Sequence, residues 1–442
     1  MSLGGRVKRP LRADGTFTLI VAGDLVVTRS FLDDLRRTAP DLVELIGAAD
    51  AVFANLETTL LDLATFPGAP QAQSGGTWLY GPPEAARELM ELGVRLLSQA
   101  NNHALDWGAE GLRRSREHLE AAGLTCAGAG ETLTEARRAA VQDSGGWRVG
   151  LAAAASTFTP ASRACDPVGP VAGRAGVNAL RVKGRTRVSA SHFALLRTLA
   201  DAAGQGGRAG DREVWLFGAT YELDESLGDA MGWRYAVDQS DRRGMLEALA
   251  ATRPHADLLL QSIHSHEPFD ASDTPGDFLR DFAAAAIAAG ADLVAGHGPH
   301  RLRGVELVDG RPVFHSLGNL IFQPEGVEAW PFDALDALQL PTTIEASEAL
   351  KAARRRRPPT SPAEYRSILA SLEYRSGSLA SVRLTPLDLG AERPFPERGF
   401  PRIARGPLAV EILQHVAELS RPFGTRIQID GDVGWVKLGD AA

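Results

Sequence analysis

The stretch VRLLSQANNHALDWG, Val94 to Gly108, runs from a largely apolar segment straight into two asparagines, a histidine and an aspartate. Polar side chains at the end of a buried strand need partners, so Asn101, Asn102, His103 and Asp106 pose the question of what they hold. The same pattern recurs along the chain. FTLIVAGD carries Phe17 to Ala22 into Gly23 and Asp24, and AVFANLE ends in Asn55 and Glu57. ADLLLQSIHSHE ends in His264 and His266, and ADLVAGHGPH in His297 and His300. Between these runs lie segments of helical period such as PPEAARELMELG (82–93), AEGLRRSREHLEAAG (109–123) and DFLRDFAAAAIAAG (277–290). Strands alternating with helices predict an α/β fold with largely parallel pairing, in which function gathers at the carboxyl ends of strands.

The 442 residues carry 44% hydrophobic and 23% charged side chains, ordinary globular values. A net charge of −8 argues against a nucleic-acid surface, and the basic run RRRRPP (354–359) reads as a solvated helix end stopped by proline. Two cysteines, Cys126 and Cys165, make no disulfide framework and no CxxC metal pair. The first 15 residues are polar and basic with no apolar run behind them, and no stretch approaches a membrane span, so a cytoplasmic chain without a membrane partner is expected. Residues 157 to 210, rich in Gly, Arg and Pro, read as long surface loops. GVELVDGRPVFHSLGNLIF (304–322) reads as a hairpin turning at Asp309-Gly310. The tail, 326–442, adds the strand GSLASVRLTPLDL, the helix GPLAVEILQHVAELS and the hairpin RIQIDGDVGWVKL.

One isolated histidine is usually a satisfied core residue. Five strand ends carrying carboxylates, a carboxamide and imidazoles point instead to a metal site. Oxygen-rich sets with a few imidazoles suit Mg²⁺, Mn²⁺ or Ca²⁺, whereas Zn²⁺ more often recruits thiolates or three imidazoles.

VAGDLVV, ANLETTL, NNHALDWG, HSHE and AGHGPHRLRGVELVDGRPVFHSLGNLIF resemble, in order, the five blocks of the CapA family of capsule and poly-γ-glutamate biosynthesis proteins. That family is similar in turn to calcineurin-like metallophosphoesterases. The resemblance runs from about residue 16 to 322. It implies a calcineurin-like four-layer αββα sandwich over 16–325, a tail at 1–15, and a C-terminal extension over 326–442 packing on the same domain. It further implies Asp24, Glu57, Asn102, His264, His297 and His300 as metal ligands and His103 as an acid/base residue oriented by Asp106, with Asn101 left to cap the turn.

Two departures from the pattern matter. Dinuclear phosphoesterases carry Asp-x-His in the first block, and here Val26 stands in the histidine's place, so one divalent ion is expected. The fourth block, commonly His-Trp-Gly, reads His264-Ser265-His266-Glu267, with Asp270 and Asp273 near enough to orient the added His266. Residues two apart in an extended segment face the same side, so His266 can turn inward with His264. Two opposed acid/base groups, His103 and His266, are what a two-base epimerase needs, whereas hydrolysis needs one. CapA-like proteins typically carry an envelope anchor, and none is expected here. The chain resembles more the soluble lasso-peptide epimerases of this family, which use a metal to invert the C-terminal residue of a ribosomal precursor peptide.

The expectation is therefore a metal-dependent peptide epimerase acting on a precursor peptide. A phosphoester or amide hydrolase and a non-catalytic polymer-assembly component are the alternatives. For the substrate, an arginine such as Arg174 suits a terminal carboxylate, and Trp233 and Tyr235 suit an apolar side chain; Trp215 and Phe217 read as packing residues.

Overall fold

The computed structural model describes residues 15–71, 78–206, 210–228, 230–356 and 361–439. The N-terminal stretch to residue 14 and the end of the basic run, residues 357–359, lie outside them. Two large sheets stack face to face. In sheet I the first strand, Thr16–Val26, pairs in parallel with Ala51–Leu56, which is followed by Val94–Ser98 and Thr125–Ala127. Its other flank is antiparallel to Arg366–Arg375, after which Ser378–Asp388, Val433–Val436 and Ile427–Asp430 continue the sheet. The C-terminal extension thus widens the same sheet that holds the first strand. Sheet II runs Val305–Val308, Arg311–Phe314, Leu293–His297, Leu258–His264, Trp147–Ala155 and Ala140–Ser144, parallel in its centre.

Strand alternation explains the layers. Phe17, Leu19, Val21 and Phe53 point into the space between the sheets, where they meet Val149, Leu151, Leu258, Leu260 and Leu293. Ile20, Ala22, Val52 and Ala54 point the other way, against Leu35, Leu42, Leu89 and Leu119 of the outer helices. Leu259, Ile263 and Val294 of sheet II bury Met245, Leu249, Phe282 and Ala286 on the opposite side. The result is the four-layer αββα sandwich with largely parallel sheet centres. The outer helices are amphipathic: Glu84–Leu92 buries Ala85, Leu89 and Leu92 and stops at Gly93, whose φ of 112° supplies the left-handed cap. Among the described residues no helix is long and apolar enough to cross a membrane.

The hairpin at Asp309-Gly310 is present, with φ of 50° and 72° at the turn. Part of the segment expected as loops, 157–210, is regular: it holds the strand Val182–Val188 and the helix Ala190–Ala202 capped by Ser189. With Glu213–Leu216, Ala219–Leu223 and Met231–Val237, which follow it, the strand forms a four-stranded sheet against which the helix packs. Its small core is Val188, Phe193, Ala200, Val214 and Leu216. The strand VKGRTRV hides from a reading of apolar runs because only Val188 of it is fully buried. Phe217 also departs from the packing role: it sits at the turn between Glu213–Leu216 and Ala219–Leu223 and is exposed, while Trp215 is half-buried.

The two sheets are locked together where the chain crosses from one to the other. After Phe314 it enters sheet I as Asn319–Phe322, beside the end of the first strand, with Asn319 opposite Asp24. The Asp24 N–H donates to Gly318 O at 3.0 Å, and a Cβ on Gly23 would stand 1.9 Å from that same oxygen. Gly23→Ala is expected to cost roughly 1–3 kcal/mol, the usual range for overpacking, and to displace Asp24. Urea unfolding measures the first effect and divalent-ion titration the second.

Candidate metal centre

Five strand ends deliver their polar residues to one buried locus. Glu57 is its hub. His264 Nε2 and His300 Nε2 each lie 3.6 Å from Glu57 Oε1, and His103 Nε2 lies 4.0 Å from it. Asp24 is pinned from several sides. Its Oδ1 accepts from Asn55 Nδ2 at 2.8 Å, and its Oδ2 from the Gly298 N–H at 3.1 Å. His297 Nδ1 stands 3.4 Å from Oδ1, and His300 Nδ1 3.6 Å from Oδ2. Asp24, Glu57, His264 and His297 are all but sealed from solvent, and Asn102 is also buried.

Three imidazoles share a design. His103 Nδ1 lies 2.7 Å from Asp106 Oδ2, His266 Nδ1 2.5 Å from Asp270 Oδ1, and His300 Nδ1 2.9 Å from Asn319 Oδ1. An Nδ1–H donated to oxygen fixes the tautomer and leaves the Nε2 lone pair free. In each case Nε2 turns inward: toward Glu57 for His103 and His300, and to within 3.1 Å of His264 Nε2 for His266. His300 has φ of 54°, and Asn319 brackets it by also donating Nδ2 to its carbonyl at 3.1 Å. Asp106 is held in turn by the Leu79 N–H at 2.7 Å.

Charge follows from burial. Burial raises the Glu57 carboxyl well above its ordinary range, and the neighbouring Asp24, Asp270 and Asp106 push the same way. For Asp24 burial also acts upward, but the closeness of His297, with His300 and His264, holds it below the usual carboxylate range. Burial lifts Asp106 to about 6 against the pull of His103. Burial first, then neighbouring His266, keeps His264 far down, a neutral imidazole.

These residues fit a divalent cation. Both Glu57 oxygens and both His297 ring nitrogens are buried without a hydrogen-bond partner. A buried carboxylate left so costs several kcal/mol unless a positive group compensates it. Bonds of about 2.1 Å to one cation set its ligand atoms roughly 3–3.7 Å apart, the spacing seen from Glu57 to His264, from Glu57 to His300 and from His264 to His266. Two overlapping groups, Glu57–His264–His266 and Asp24–Glu57–His300, each have ligand atoms within 4.8 Å of one another. The position vacated at Val26 therefore leaves enough donors.

The residues expected to meet substrate divide. Trp233 is 41% exposed and lies edge-on to the equally open Phe269, ring centres 5.2 Å apart, on the loop that carries Asp270. Tyr235 is a packing residue: its ring lies 5.4 Å from that of Phe278 and its N–H donates to Asp277 Oδ1. Arg174 is not brought to the centre, because its guanidinium caps Arg163 O and Pro160 O and contacts Cys165 Sγ of its own loop. Three contributors had no assigned role in the sequence. Asn55 donates to Asp24 and also reaches His264 Nδ1 at 3.2 Å; its Oδ1 accepts from Asn101 Nδ2 at 3.3 Å. Asn319 orients His300 as above. Arg303, only 1% exposed, donates to the carbonyls of Glu267, Phe269 and Ser272 and so fastens the loop bearing His266 and Asp270. Asn55 and Asn319 each sit at a strand end, which is the signal that could have found them; Arg303 gave none. Asn101 caps its turn, accepting the His103 N–H at 3.1 Å, and also donates to Leu56 O at 2.7 Å.

The model of the family described as "Bacterial capsule synthesis protein PGA_cap" matches residues 18–324. The uncharacterized protein y4sH of Sinorhizobium fredii is 36% identical over 437 residues, covering 96% of this chain and 93% of that one. The PGA biosynthesis protein CapA of Bacillus subtilis is 22% identical over 54% of this chain and 45% of its own length. A probable polyglutamine synthesis accessory protein of Mycobacterium tuberculosis is 27% identical over 63% of this chain and 57% of its own.

Glu57→Gln keeps the shape but removes the central charge. It is expected to weaken divalent-ion binding by at least about tenfold, the size of effect of losing one charged, buried contact of 1.4 kcal/mol or more. Calorimetric titration of Mn²⁺, Mg²⁺, Ca²⁺ and Zn²⁺ into chelator-treated wild type and variant measures it and ranks the ions.

Proposed function

The chain belongs to the PGA_cap family of bacterial capsule synthesis proteins, and from that premise we propose that it is a metal-dependent epimerase that inverts a Cα next to a carbonyl in a peptide. The observation that carries the reading is the pair His103–Asp106 and His266–Asp270: two imidazoles from separate segments, each held at Nδ1 by a carboxylate, each turning Nε2 to the same buried locus. A divalent ion held by Asp24, Glu57, Asn102, His264, His297 and His300 would supply Lewis acidity to the substrate carbonyl, a term of several kcal/mol for an otherwise very weak carbon acid.

One imidazole takes the Cα proton onto Nε2, and its carboxylate stabilises the imidazolium that forms. The other, protonated at Nε2, returns a proton to the opposite face, so the reaction needs no external oxidant or water. Burial of Asp106, at 0% exposure, keeps the His103 side dry. Arg303 and Asp270 fix the height of His266, and the Trp233–Phe269 pair offers an apolar shelf to the side chain of the reacting residue. The partner is then a peptide precursor, in keeping with a relative named for polyglutamine synthesis.

One observation favours a second reading. His266 Nε2 is also within ligand range of His264 and Glu57, and if it binds metal only His103 remains to move protons, which suits a hydrolase of an amide or phosphoester.

The test is incubation of the metal-loaded protein in D₂O with N-acetyl tripeptides varied at the C-terminal residue. Uptake of one deuteron with inversion at a single Cα is expected, with intact peptide. His103→Gln and His266→Gln are each expected to lower exchange by about 10²–10⁴-fold, the range for losing a general acid or base, with metal content unchanged. Cleavage without exchange, together with metal loss in His266→Gln, would replace the epimerase by the hydrolase.

A further inference from the structure

One carboxylate of the fourth block has no part in the proposed reaction, yet it gathers three hydroxyls. Glu267 Oε2 accepts from Ser156 Oγ at 2.7 Å, from Thr157 Oγ1 at 3.1 Å and from Ser265 Oγ at 2.6 Å. Ser156 and Thr157 follow the strand Trp147–Ala155, and Ser265 follows its parallel neighbour Leu258–His264, in which His264 lies opposite Ala155. The carboxylate therefore ties two strand ends of sheet II together beside the candidate ligand His264. Its own root is fixed as well. The Glu267 carbonyl accepts from Arg303 Nη1 at 3.1 Å and from the Gly276 N–H at 3.2 Å.

A carboxylate oxygen only accepts, so each hydroxyl must point its proton at Glu267. A hydroxyl has one proton and two lone pairs. With the Thr157 proton committed, the lone pairs of Oγ1 are left for another donor, and the His266 N–H donates to that atom at 2.9 Å. Glu267 thus orients Thr157, and Thr157 holds the backbone from which the His266 ring springs. The ring has a second anchor, Asp270 Oδ1 at 2.5 Å from Nδ1, but that carboxylate is 60% exposed and water competes for it. The Thr157 bond is the less exposed of the two anchors, and His266 Nε2 stands 3.1 Å from His264 Nε2.

We propose that Glu267 is a positioning residue for His266, acting through Thr157. The inference rests on the epimerase reading for its effect on proton transfer, and on the hydrogen bonds alone for the placement of the ring. In this role Glu267 takes no proton from the substrate. It fixes the direction of one hydroxyl, and that hydroxyl sets where His266 Nε2 stands relative to the buried locus. A misplacement of about 1 Å at a reacting group can lower a rate by about 10²-fold, so an anchor two hydrogen bonds from the carboxylate is close enough to matter.

Two measurements on the full-length protein test it, with thermal unfolding to confirm that each variant is folded. In the D₂O assay with N-acetyl tripeptides, Thr157→Val removes the hydroxyl and is expected to lower kcat for exchange by about 10–10²-fold with KM little changed. Thr157→Ser keeps the hydroxyl and should restore most of that rate. Glu267→Met should match Thr157→Val, and Glu267→Gln, whose carbonyl still accepts, should lose less. In a His266→Gln background Thr157→Val should cost nothing further, because the group it positions is gone. An equal loss in both backgrounds, or a Thr157→Ser variant as slow as Thr157→Val, overturns the proposal. The second measurement needs no turnover. Chelator-treated protein is exposed to diethylpyrocarbonate, and the modification rate of His266 is read by mass spectrometry against His118 of the helix Gly108–Ala121. The rate at His266 should rise several-fold in Thr157→Val and Glu267→Met and stay at the wild-type value in Thr157→Ser. An unchanged rate in Thr157→Val overturns the placement. If no peptide exchanges with the wild type, the epimerase reading fails, and the modification rates still decide whether Glu267 and Thr157 hold the ring.

Discussion

Two carboxylates, Asp24 and Glu57, are buried without solvent at the meeting point of two sheets, and most of the local architecture answers to that. Like charges at close range in a low-dielectric setting cannot both persist uncompensated. Asp24 is answered by hydrogen bonds, from Asn55 and from the Gly298 N–H, and by the proximity of His297 and His300. Glu57 receives no hydrogen bond at either oxygen and is instead ringed by imidazole nitrogens. A cation shared by both groups would offset that cost and make the pair a binding site.

Bringing these groups together demands close backbone approach, and glycine permits it. Gly298 adopts φ of 120° and would place a Cβ 2.8 Å from Ser265 O, so the loop that donates its N–H to Asp24 can run flush against the fourth-block segment. The register of sheet II does the rest. His264 and His297 are paired across neighbouring parallel strands, so one pleat sends both rings to the same side. Hydrophobic alternation between the sheets thus sets the height of the candidate ligands, and core packing and site geometry are one constraint.

Much of this could be read from residue order. Apolar runs ending in Asp24, Glu57, Asn102-His103, His264 and His297 mark strands whose carboxyl ends converge, and the alternation of Phe17, Leu19 and Val21 with Ile20 and Ala22 marks a sheet covered on both faces. The inserted sheet was not legible as a sheet, because its strands are mostly half-exposed and two of them, Val182–Val188 and Met231–Val237, are interrupted by Arg and Gly. Nor was the role of Arg303: a buried guanidinium bonded only to carbonyls leaves no pattern, since its partners are backbone atoms of any sequence. Arg174 misled for the converse reason. An arginine in a loop looks available for an anion, yet backbone carbonyls of its own turn occupy it.

The two proposed proton carriers differ in a way that bears on direction. His103 and Asp106 are both buried and belong to one tight turn, roofed by the segment around Leu79. His266 is partly open, and its partner Asp270 sits on a loop that faces solvent, fastened by Arg303 at its carbonyls, by Arg301 at Ala271 O and by Thr157 at the His266 N–H. An imidazole in contact with water renews its proton between turnovers, whereas a sealed one keeps the proton it has received until the reaction runs back. In the proposed reaction the His266 face would therefore be the one at which solvent hydrogen enters, and the His103 face the one at which substrate hydrogen is retained. That asymmetry follows from burial alone: it would make the pair unequal partners in a reaction that is formally symmetric, and it would tie stereochemical bias to the difference between a sealed turn and a solvent-facing loop.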